Sequence, residues 1–190
     1  MTITAVNDAP VASNFAATTT EDSDYSGFLS GTDVDDDALT YAIANSPSNG
    51  TVTLSNVSQG TFVYSPTANY NGSDTFTYTV SDGELTDSDN FILEVNPVND
   101  SPVLNTILDD SIDEDSVFNY ELTAMDVDNS QFIFSASIEE NGSVEISDST
   151  LTVIPDLNFN GNLVINITVS DGELSDSNSF NLFIMLIAIF

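Results

Sequence analysis

The side chains of this sequence that could do chemistry are mostly carboxylates, and many of them lie in short acidic segments. The sequence holds 31 Asp and Glu residues but no Lys, Arg or His, so its formal net charge is −31. Carboxylates this close repel one another unless a cation neutralises them. Calcium takes about six to eight oxygen ligands of this kind. The segments are Glu21-Asp22, Asp33 to Asp37, Asp82-Gly83-Glu84, Asp100, Asp126-Val127-Asp128 and Asp171-Gly172-Glu173.

The missing residue types exclude several functional classes. Phosphate binding needs Lys or Arg, so nucleic-acid binding is excluded, and anionic membrane surfaces repel such a chain. Because the chain also has no Cys, it has neither a thiolate nucleophile nor an imidazole base. Paired carboxylates can hydrolyse glycosides, but no pair here has an apolar setting that would raise one pKa. We therefore predict that the chain is not an enzyme.

The acidic segments belong to an internal repeat. Val6-Asn7-Asp8-Ala9-Pro10-Val11 recurs 92 residues later as Val98-Asn99-Asp100-Ser101-Pro102-Val103. The Glu-Asp, Asp-Val-Asp, Asn-(Tyr/Phe)-Asn-Gly and Ser-Asp-Gly-Glu-Leu segments also recur in the same order. We therefore predict two tandem modules, residues 6–98 and 99–190. Residues 1–5 are interpreted as the last strand of a preceding module or as an N-terminal arm.

Apolar and polar residues alternate in short runs within each copy, which is typical of half-buried strands. Phe76, Tyr78 and Val80, for example, alternate with threonines. Asn49-Gly50 and Asn141-Gly142 lie between such runs and predict tight hairpin turns. About seven strands in some 90 residues predict a Greek-key β-sandwich. The predicted fold class is therefore all-β, with two tandem sandwiches.

The repeated motifs resemble the cadherin-like tandem modules of large calcium-dependent bacterial surface adhesins of the RTX type. The motifs are Val-Asn-Asp-x-Pro-Val, Glu-Asp, Asp-Val-Asp, Asn-(Tyr/Phe)-Asn-Gly and Val-Ser-Asp-Gly-Glu-Leu, and they span nearly all of both copies. The resemblance implies Ig-like sandwiches strung end to end, with calcium at each junction. It also implies an extracellular or cell-surface location, with neighbouring modules of the same array as partners.

The resemblance further implies which residues hold calcium. For the junction inside this chain they are Glu21, Asp74, Asn99, Asp100, Asp126, Asp128 and Asp171. For a half-site at the start of the first copy they are Asp8, Asp33, Asp35 and Asp82, and Glu114 is the lone counterpart at the far end. The second copy departs from the pattern, because no acid there matches Asp74. Asp82-Gly83 and Asp171-Gly172 are equally consistent with plain turn chemistry.

The favoured function is a calcium-rigidified extracellular spacer of a repetitive surface adhesin that supports cell adhesion or biofilm. The alternative is a subunit of an extracellular filament or matrix. In that case, residues 1–5 or the apolar segment Phe180–Phe190 would complete a neighbour's sheet by strand addition, giving end-to-end self-association. Phe180–Phe190 is too short for a membrane-spanning helix, which takes about 20 residues. We interpret it as a last strand and predict no membrane insertion.

Overall fold

The computed structural model describes residues 6–187, and within that range every regular element is a strand. No helix long and apolar enough to cross a membrane occurs among these residues. The chain divides between Val98 and Asn99 into two compact units, module 1 and module 2. The interpretation of residues 1–5 as a strand or arm lies outside the described residues.

Module 1 is built from strands of two to eleven residues. They are β1 Val11–Ala12, β2 Phe15–Thr20, β3 Tyr25–Phe28, β4 Gly31–Thr32, β5 Thr40–Asn45, β6 Gly50–Asn56, β7 Thr61–Pro66, β8 Gly72–Ser81 and β9 Thr86–Asn96. Its larger sheet has the order β2-β9-β8-β5, its smaller sheet has the order β3-β7-β6, and β1 pairs with β4.

Module 2 repeats this arrangement strand for strand. Its strands are β10 Val103–Leu104, β11 Asp110–Asp113, β12 Phe118–Glu121, β13 Ala124–Met125, β14 Ile133–Ile138, β15 Gly142–Ser147, β16 Thr150–Pro155, β17 Gly161–Ser170 and β18 Ser175–Met185. The sheets run β11-β18-β17-β14 and β12-β16-β15, with β10 beside β13. In each module one pair is parallel, β2 with β9 and β11 with β18. The prediction of an all-β chain of tandem sandwiches is confirmed.

The number of strand segments differs from the prediction of about seven per module, because the first two strands of each sandwich are interrupted. In module 1 the chain pairs with β4 through β1, and then with β9 through β2. The next strand is likewise split into β3, which pairs with β7, and β4. Alternation in the sequence shows that a strand exists, but its partner depends on the sheet that it joins.

The two sheets of each module face each other across an apolar core. In module 1, the ring of Phe62 on β7 meets Phe76 and Phe91 of the other sheet, with ring centroids 5.2 and 5.0 Å apart. The core of module 2 is mainly aliphatic and includes Leu151, Ile165, Ile167 and Leu182. Full burial of one such side chain stabilises the fold by about 1.5–3 kcal/mol.

The predicted hairpin turns at Asn49-Gly50 and Asn141-Gly142 are wrong. Each Asn-Gly pair lies where the chain crosses between sheets, from β5 to β6 and from β14 to β15. Gly50 allows a close approach, since a Cβ there would lie 2.5 Å from a ring carbon of Tyr64. At Gly142 a Cβ would lie 2.8 Å from the Ile154 carbonyl oxygen. Lack of a side chain is thus required here by packing between segments, and not by a hairpin.

The apolar C-terminal segment continues β18 as far as Met185, which confirms the prediction of a last strand up to that residue. Leu186 and Ile187 follow outside the strand and are exposed. The remainder of the predicted strand, residues 188–190, lies outside the described residues.

Candidate metal sites

The acidic loops of module 1 form one hydrogen-bonded network, which we call the upper network of module 1: Asn7, Asp8, Asp33, Asp35 and Asp82. The Asn7 side-chain amide donates to Asp82 Oδ2 at 2.9 Å. The Asp8 backbone N–H donates to Asp35 Oδ2, and that of Asp35 to Asp33 Oδ1, both at 2.8 Å. The structure therefore brings the four carboxylates predicted for the start of the first copy into one network.

Module 2 has the same arrangement, the upper network of module 2: Asn99, Asp100, Asp126, Asp128 and Asp171. Asn99 donates to Asp171 Oδ2 at 2.7 Å. The Asp100 N–H donates to Asp128 Oδ2, and that of Asp128 to Asp126 Oδ1, both at 2.8 Å. All the predicted ligands that module 2 contributes therefore lie together.

The two Asp-Gly loops combine both roles that their sequence suggested. Asp82 Oδ1 accepts the backbone N–H groups of Glu84 and Leu85, each at 2.7 Å, and Asp171 does the same for Glu173 and Leu174. The other carboxylate oxygen of each faces the linker asparagine. These bonds favour the ionised carboxylate. They hold the pKa of Asp82 and of Asp171 below the ordinary value.

The causes of the two lowered pKa values differ in rank. For Asp171, the hydrogen bond from Asn99 is the largest cause, followed by the amides of Glu173 and Leu174. For Asp82, the backbone amides of Leu85 and Glu84 come first, and Asn7 follows. The linker asparagine therefore stabilises the ionised carboxylate more strongly in module 2.

Each upper network contains a carboxylate oxygen with nothing to bind. Asp33 Oδ2 and Asp126 Oδ2 are buried atoms that have no hydrogen-bond partner among the described residues. A buried charged oxygen without a partner is costly unless a cation balances it. The chain offers no basic side chain for that purpose.

Module 1 adds a residue that the repeated motifs did not single out, Asp37. One carboxylate oxygen each of Asp33, Asp35 and Asp37 can be chosen so that all three lie within 4.8 Å of one another. The signal was present in the sequence, because the spacing Asp-x-Asp-x-Asp continues the Asp33/Asp35 alternation. At the matching positions of module 2, Asn129 and Ser130 replace Asp36 and Asp37. There the Asn129 amide donates to Asn99 Oδ1 at 2.8 Å.

Glu21 is a buried acid that follows β2. Its side chain is 2% exposed, and Oε1 accepts the Val98 N–H at 2.7 Å. Oε2 is buried and has no hydrogen-bond partner among residues 6–187. Glu114 occupies the equivalent position in module 2, where its Oε1 accepts the Ile187 N–H at 3.0 Å. Both glutamates thus clamp the chain just after the last strand of their module.

Asp74 is also buried, but its bonding differs from that of Glu21. Its carboxylate accepts the Tyr64 hydroxyl at 2.9 Å and the backbone N–H groups of Ser48, Asn49 and Thr75 at 2.9–3.0 Å. Both oxygens therefore have two partners within module 1. This bonding gives Asp74 a structural role in the crossing from β5 to β6, and its assignment as a metal ligand stays a prediction.

The donor set fits calcium. Carboxylate and amide oxygens are the ligands that this cation prefers in proteins. The unpartnered oxygens of Glu21, Asp33 and Asp126 are buried in a chain that has no internal counter-charge. A hard divalent cation supplies what each of these oxygens lacks.

Sequence comparison identifies the modules. The sequence model of the bacterial Ig domain matches residues 7–93 and 99–182, which is most of both modules. The chain belongs to the bacterial Ig domain family. It carries two such Ig domains, one in each compact unit.

Solved structures agree with this sandwich fold. Human protocadherin-24 EC1-2 matches 96% of this chain and 100% of its own at a TM-score of 0.62 and 18% identity. Drosophila N-cadherin EC1-4 matches 94% of this chain and 50% of its own, with a TM-score of 0.59 and 16% identity. At such identities the likeness concerns the fold. The cadherin-like architecture expected of the Ig domains is thereby confirmed.

A curated relative shares part of the sequence. Chitinase A of Pseudoalteromonas piscicida is 27% identical over 151 residues, which is 78% of this chain. The chain spans only 18% of the length of that relative.

Proposed function

We propose that the two Ig domains are a calcium-stiffened spacer in an extracellular bacterial protein. The single observation that carries the proposal is Glu21, a carboxylate that is 2% exposed and has one oxygen without a hydrogen-bond partner among the described residues. A cation that neutralises it offsets a desolvation penalty that nothing else in the chain offsets. The family and the cadherin-like fold support an extracellular, adhesion-type module.

The proposed ligands follow the two upper networks. Asp126, Asp128, Asp171 and the linker residues Asn99 and Asp100 would hold calcium at module 2. Asp8, Asp33, Asp35, Asp82 and the added Asp37 would do so at module 1. From the resemblance we take that Glu21 and the upper network of module 2 serve the same junction. Bound calcium supplies positive charge that removes the repulsion between these carboxylates.

In such a site the protein's own contacts prepare the ligands. The backbone N–H groups of Asp35 and Asp128 hold the carboxylates of Asp33 and Asp126 by one oxygen. The Val98 N–H holds Glu21 in the same way. Each of these bonds fixes a side chain while leaving its second oxygen for the ion. The linker is thereby tied to the module that precedes it, and binding would limit its bending.

The proposal is tested by thermal unfolding of the whole chain in calcium and in magnesium at constant ionic strength. With a dissociation constant of about 1 mM, 10 mM calcium adds about 1.4 kcal/mol per site to the free energy of unfolding. That corresponds to a rise of a few degrees in melting temperature. Asp126→Asn should remove much of the rise, whereas Glu139→Gln, an exposed acid of the same module, should not. Equal effects of calcium and magnesium would overturn the proposal.

The kind of parent protein is a separate question. The motif resemblance favours a surface adhesin that supports cell adhesion or biofilm. The match to a chitinase over 78% of this chain favours a secreted polysaccharide-degrading enzyme in which such modules act as spacers. In both cases the two Ig domains themselves would be non-catalytic. A deletion variant of the parent protein that lacks these modules should keep its intrinsic activity or ligand affinity but lose reach on an immobilised target.

A filament subunit is the second proposal, and the end of module 2 favours it. Phe183, Met185, Leu186 and Ile187 are between 43% and 68% exposed around the end of β18. Such a segment can add to a neighbour's sheet. Calcium-independent, concentration-dependent polymers seen by electron microscopy would support this function over the spacer. Short or absent polymers at millimolar protein would contradict it.

A further inference from the structure

Sheet edges in this protein cannot use the guard that proteins use most often. An edge strand presents unpaired N–H and C=O groups, and natural proteins protect such edges with Lys, acids, bulges, proline or very short strands. The sequence contains no Lys. Each edge must therefore be protected by a different device, and the devices can be read strand by strand.

Module 1 protects one side of its sandwich with two β-bulges. The pairing of β5 with β8 shifts between Ile43 and Asn45. The pairing of β6 with β7 shifts between Leu54 and Asn56. Bulges twist an edge away from regular pairing. The edge strands β5 and β6 are thus both poor templates for a further strand.

Module 2 lacks these bulges on the same side. β14 pairs with β17 over six consecutive residues, Ile133 to Ile138, without a shift, and β15 pairs with β16 equally regularly. β15 has an acid at its centre, the exposed Glu145. At the other edge of the larger sheet, β11 begins and ends with Asp. β14 has neither a bulge nor a charge.

The sequence of β14 also favours pairing. Ile133-Phe134-Ser135-Ala136-Ser137-Ile138 contains no charge, Pro or Gly, and Ile133 is 68% exposed. Uncharged six-residue segments of high β-propensity are typical of strands that pair with other chains. The other uncharged, regular edge of six residues, β2, exposes only Ala16, Thr18 and Thr20.

We infer that β14 is an open sheet edge at which a second copy of this chain pairs, β14 against β14 and antiparallel. Two-fold pairing keeps outward side chains on one face, so one residue must lie opposite itself. With Ser135 at that position, the exposed Ile133 faces the small Ser137 of the second copy. On the inner face Phe134 lies opposite Ala136. Large side chains therefore meet small ones along the strand.

Charge favours the same arrangement. Glu139 and Glu140, which follow β14, would lie opposite Gln131 and Ser130 of the second copy, so no acid faces an acid. The remaining obstacle is the net charge of −31 on each chain. Its repulsion is screened as the Debye length falls from about 30 Å at 0.01 M salt to about 3 Å at 1 M. Pairing is therefore a high-salt property, and it is independent of the proposed calcium sites.

The test is sedimentation velocity of the whole chain in EDTA, at low and at high salt. The expected result is a concentration-dependent dimer at 1 M NaCl. Ser135→Glu places two carboxylates opposite each other and should raise the dissociation constant about fivefold or more. The matched control is Ala42→Glu on β5, since Ala42 pairs with Thr79 as Ser135 pairs with Thr168. A monomer at all salt concentrations, or equal loss in both variants, would overturn the inference.

A single cysteine reports the register directly, because the chain has no native Cys. Cα atoms of directly opposed residues lie about 4.5–5.5 Å apart, within disulfide range. Ser135→Cys should therefore give a disulfide-linked dimer under mild oxidation at high salt, and Ala42→Cys should not. Absence of a cross-link in Ser135→Cys, or equal cross-linking of both variants, would refute this pairing. Circular dichroism of each variant checks that it is folded.

Discussion

The two modules have the same strands in the same order, but they fill one core position with opposite chemistry. In module 1 the Tyr64 hydroxyl donates to Asp74, and both side chains are buried. In module 2 the matching residues are Val153 and Leu163, and both are buried as well. A sandwich of this kind therefore accepts either a polar pair or an apolar pair. What it requires is that both members change together, because a buried carboxylate needs its partners.

The difference extends to the crossing between the sheets. In module 1 the Asp74 carboxylate holds the N–H groups of Ser48 and Asn49, just before β6. Leu163 has no atom that could accept such bonds. Burial raises the pKa of Tyr64 well above its ordinary value, with the Asp74 hydrogen bond as the next cause. One module thus fixes its crossing by a buried charge and the other by packing.

Breaking the polar pair should have the largest effect. Asp74→Leu leaves the Tyr64 hydroxyl and three backbone N–H groups without their acceptor. We expect the free energy of unfolding of module 1 to fall by about 3–5 kcal/mol. Urea unfolding followed by tyrosine fluorescence measures this, because all tyrosines except Tyr120 lie in module 1.

The double variant Asp74→Leu with Tyr64→Val reproduces the pair found in module 2. It should be less destabilised than the sum of the two single variants, with a coupling free energy of about 1–3 kcal/mol. The orphaned amides of Ser48 and Asn49 remain, so recovery is expected to be partial. Strictly additive single effects would show that Tyr64 and Asp74 do not act as a unit.

A smaller effect is expected at the upper networks, where Asp37 of module 1 corresponds to Ser130 of module 2. Affinity for calcium rises with the number of ligand charges. Asp37→Ser should therefore weaken calcium binding several-fold, and Ser130→Asp should strengthen it. Titration calorimetry of the whole chain measures both, with Asp24→Ser as a control that removes an exposed acid outside the network. If the control weakens binding as much as Asp37→Ser, then net charge, and not ligation, sets the affinity.

The smallest effect concerns the linker asparagines. Asn99 is the main cause of the lowered pKa of Asp171, whereas Asn7 ranks behind two backbone amides at Asp82. Asn99→Ala should therefore raise the pKa of Asp171 toward 3.8 by more than Asn7→Ala raises that of Asp82. Carbon-13 NMR titration of the carboxyl groups measures both shifts. Equal shifts would contradict the ranking.

The sign of the associated pH dependence follows from the direction of these shifts. A carboxylate whose pKa is lowered by folding stabilises the folded state above its ordinary pKa, and this stabilisation is lost as pH falls through the lowered value. Both modules should thus lose stability below about pH 4. Module 2 with Asn99→Ala should lose less of its stability in that range.

Much of the fold could be predicted from local pattern. The alternation of Phe76, Tyr78 and Val80 with threonines depends on the two-residue period of a strand, which is a property of the backbone. The repeated Asp-Val-Asp and Ser-Asp-Gly-Glu-Leu segments likewise marked the loops that form the upper networks. Asp37 was within reach of the same reasoning, because it continues the spacing of Asp33 and Asp35.

Other features depend on which segments meet in space. Asn49-Gly50 has the sequence of a hairpin turn, yet it joins two sheets, and Gly50 is needed because the Tyr64 ring lies against it. Asp74 has the appearance of another loop acid, but four hydrogen bonds inside module 1 occupy its oxygens. Sequence spacing contains no record of these neighbours.

The sequence by itself determined the all-β class, the two repeats and the absence of any internal counter-charge for 31 acidic residues. These follow from residue types and short-range periodicity, which are local properties. The tertiary structure alone decided which carboxylates are satisfied, as Asp74 is, and which keep a buried oxygen without a hydrogen-bond partner among the described residues, as Glu21 does. The physical reason is that burial and hydrogen-bond partners come from segments distant in the chain, and only folding brings those segments together.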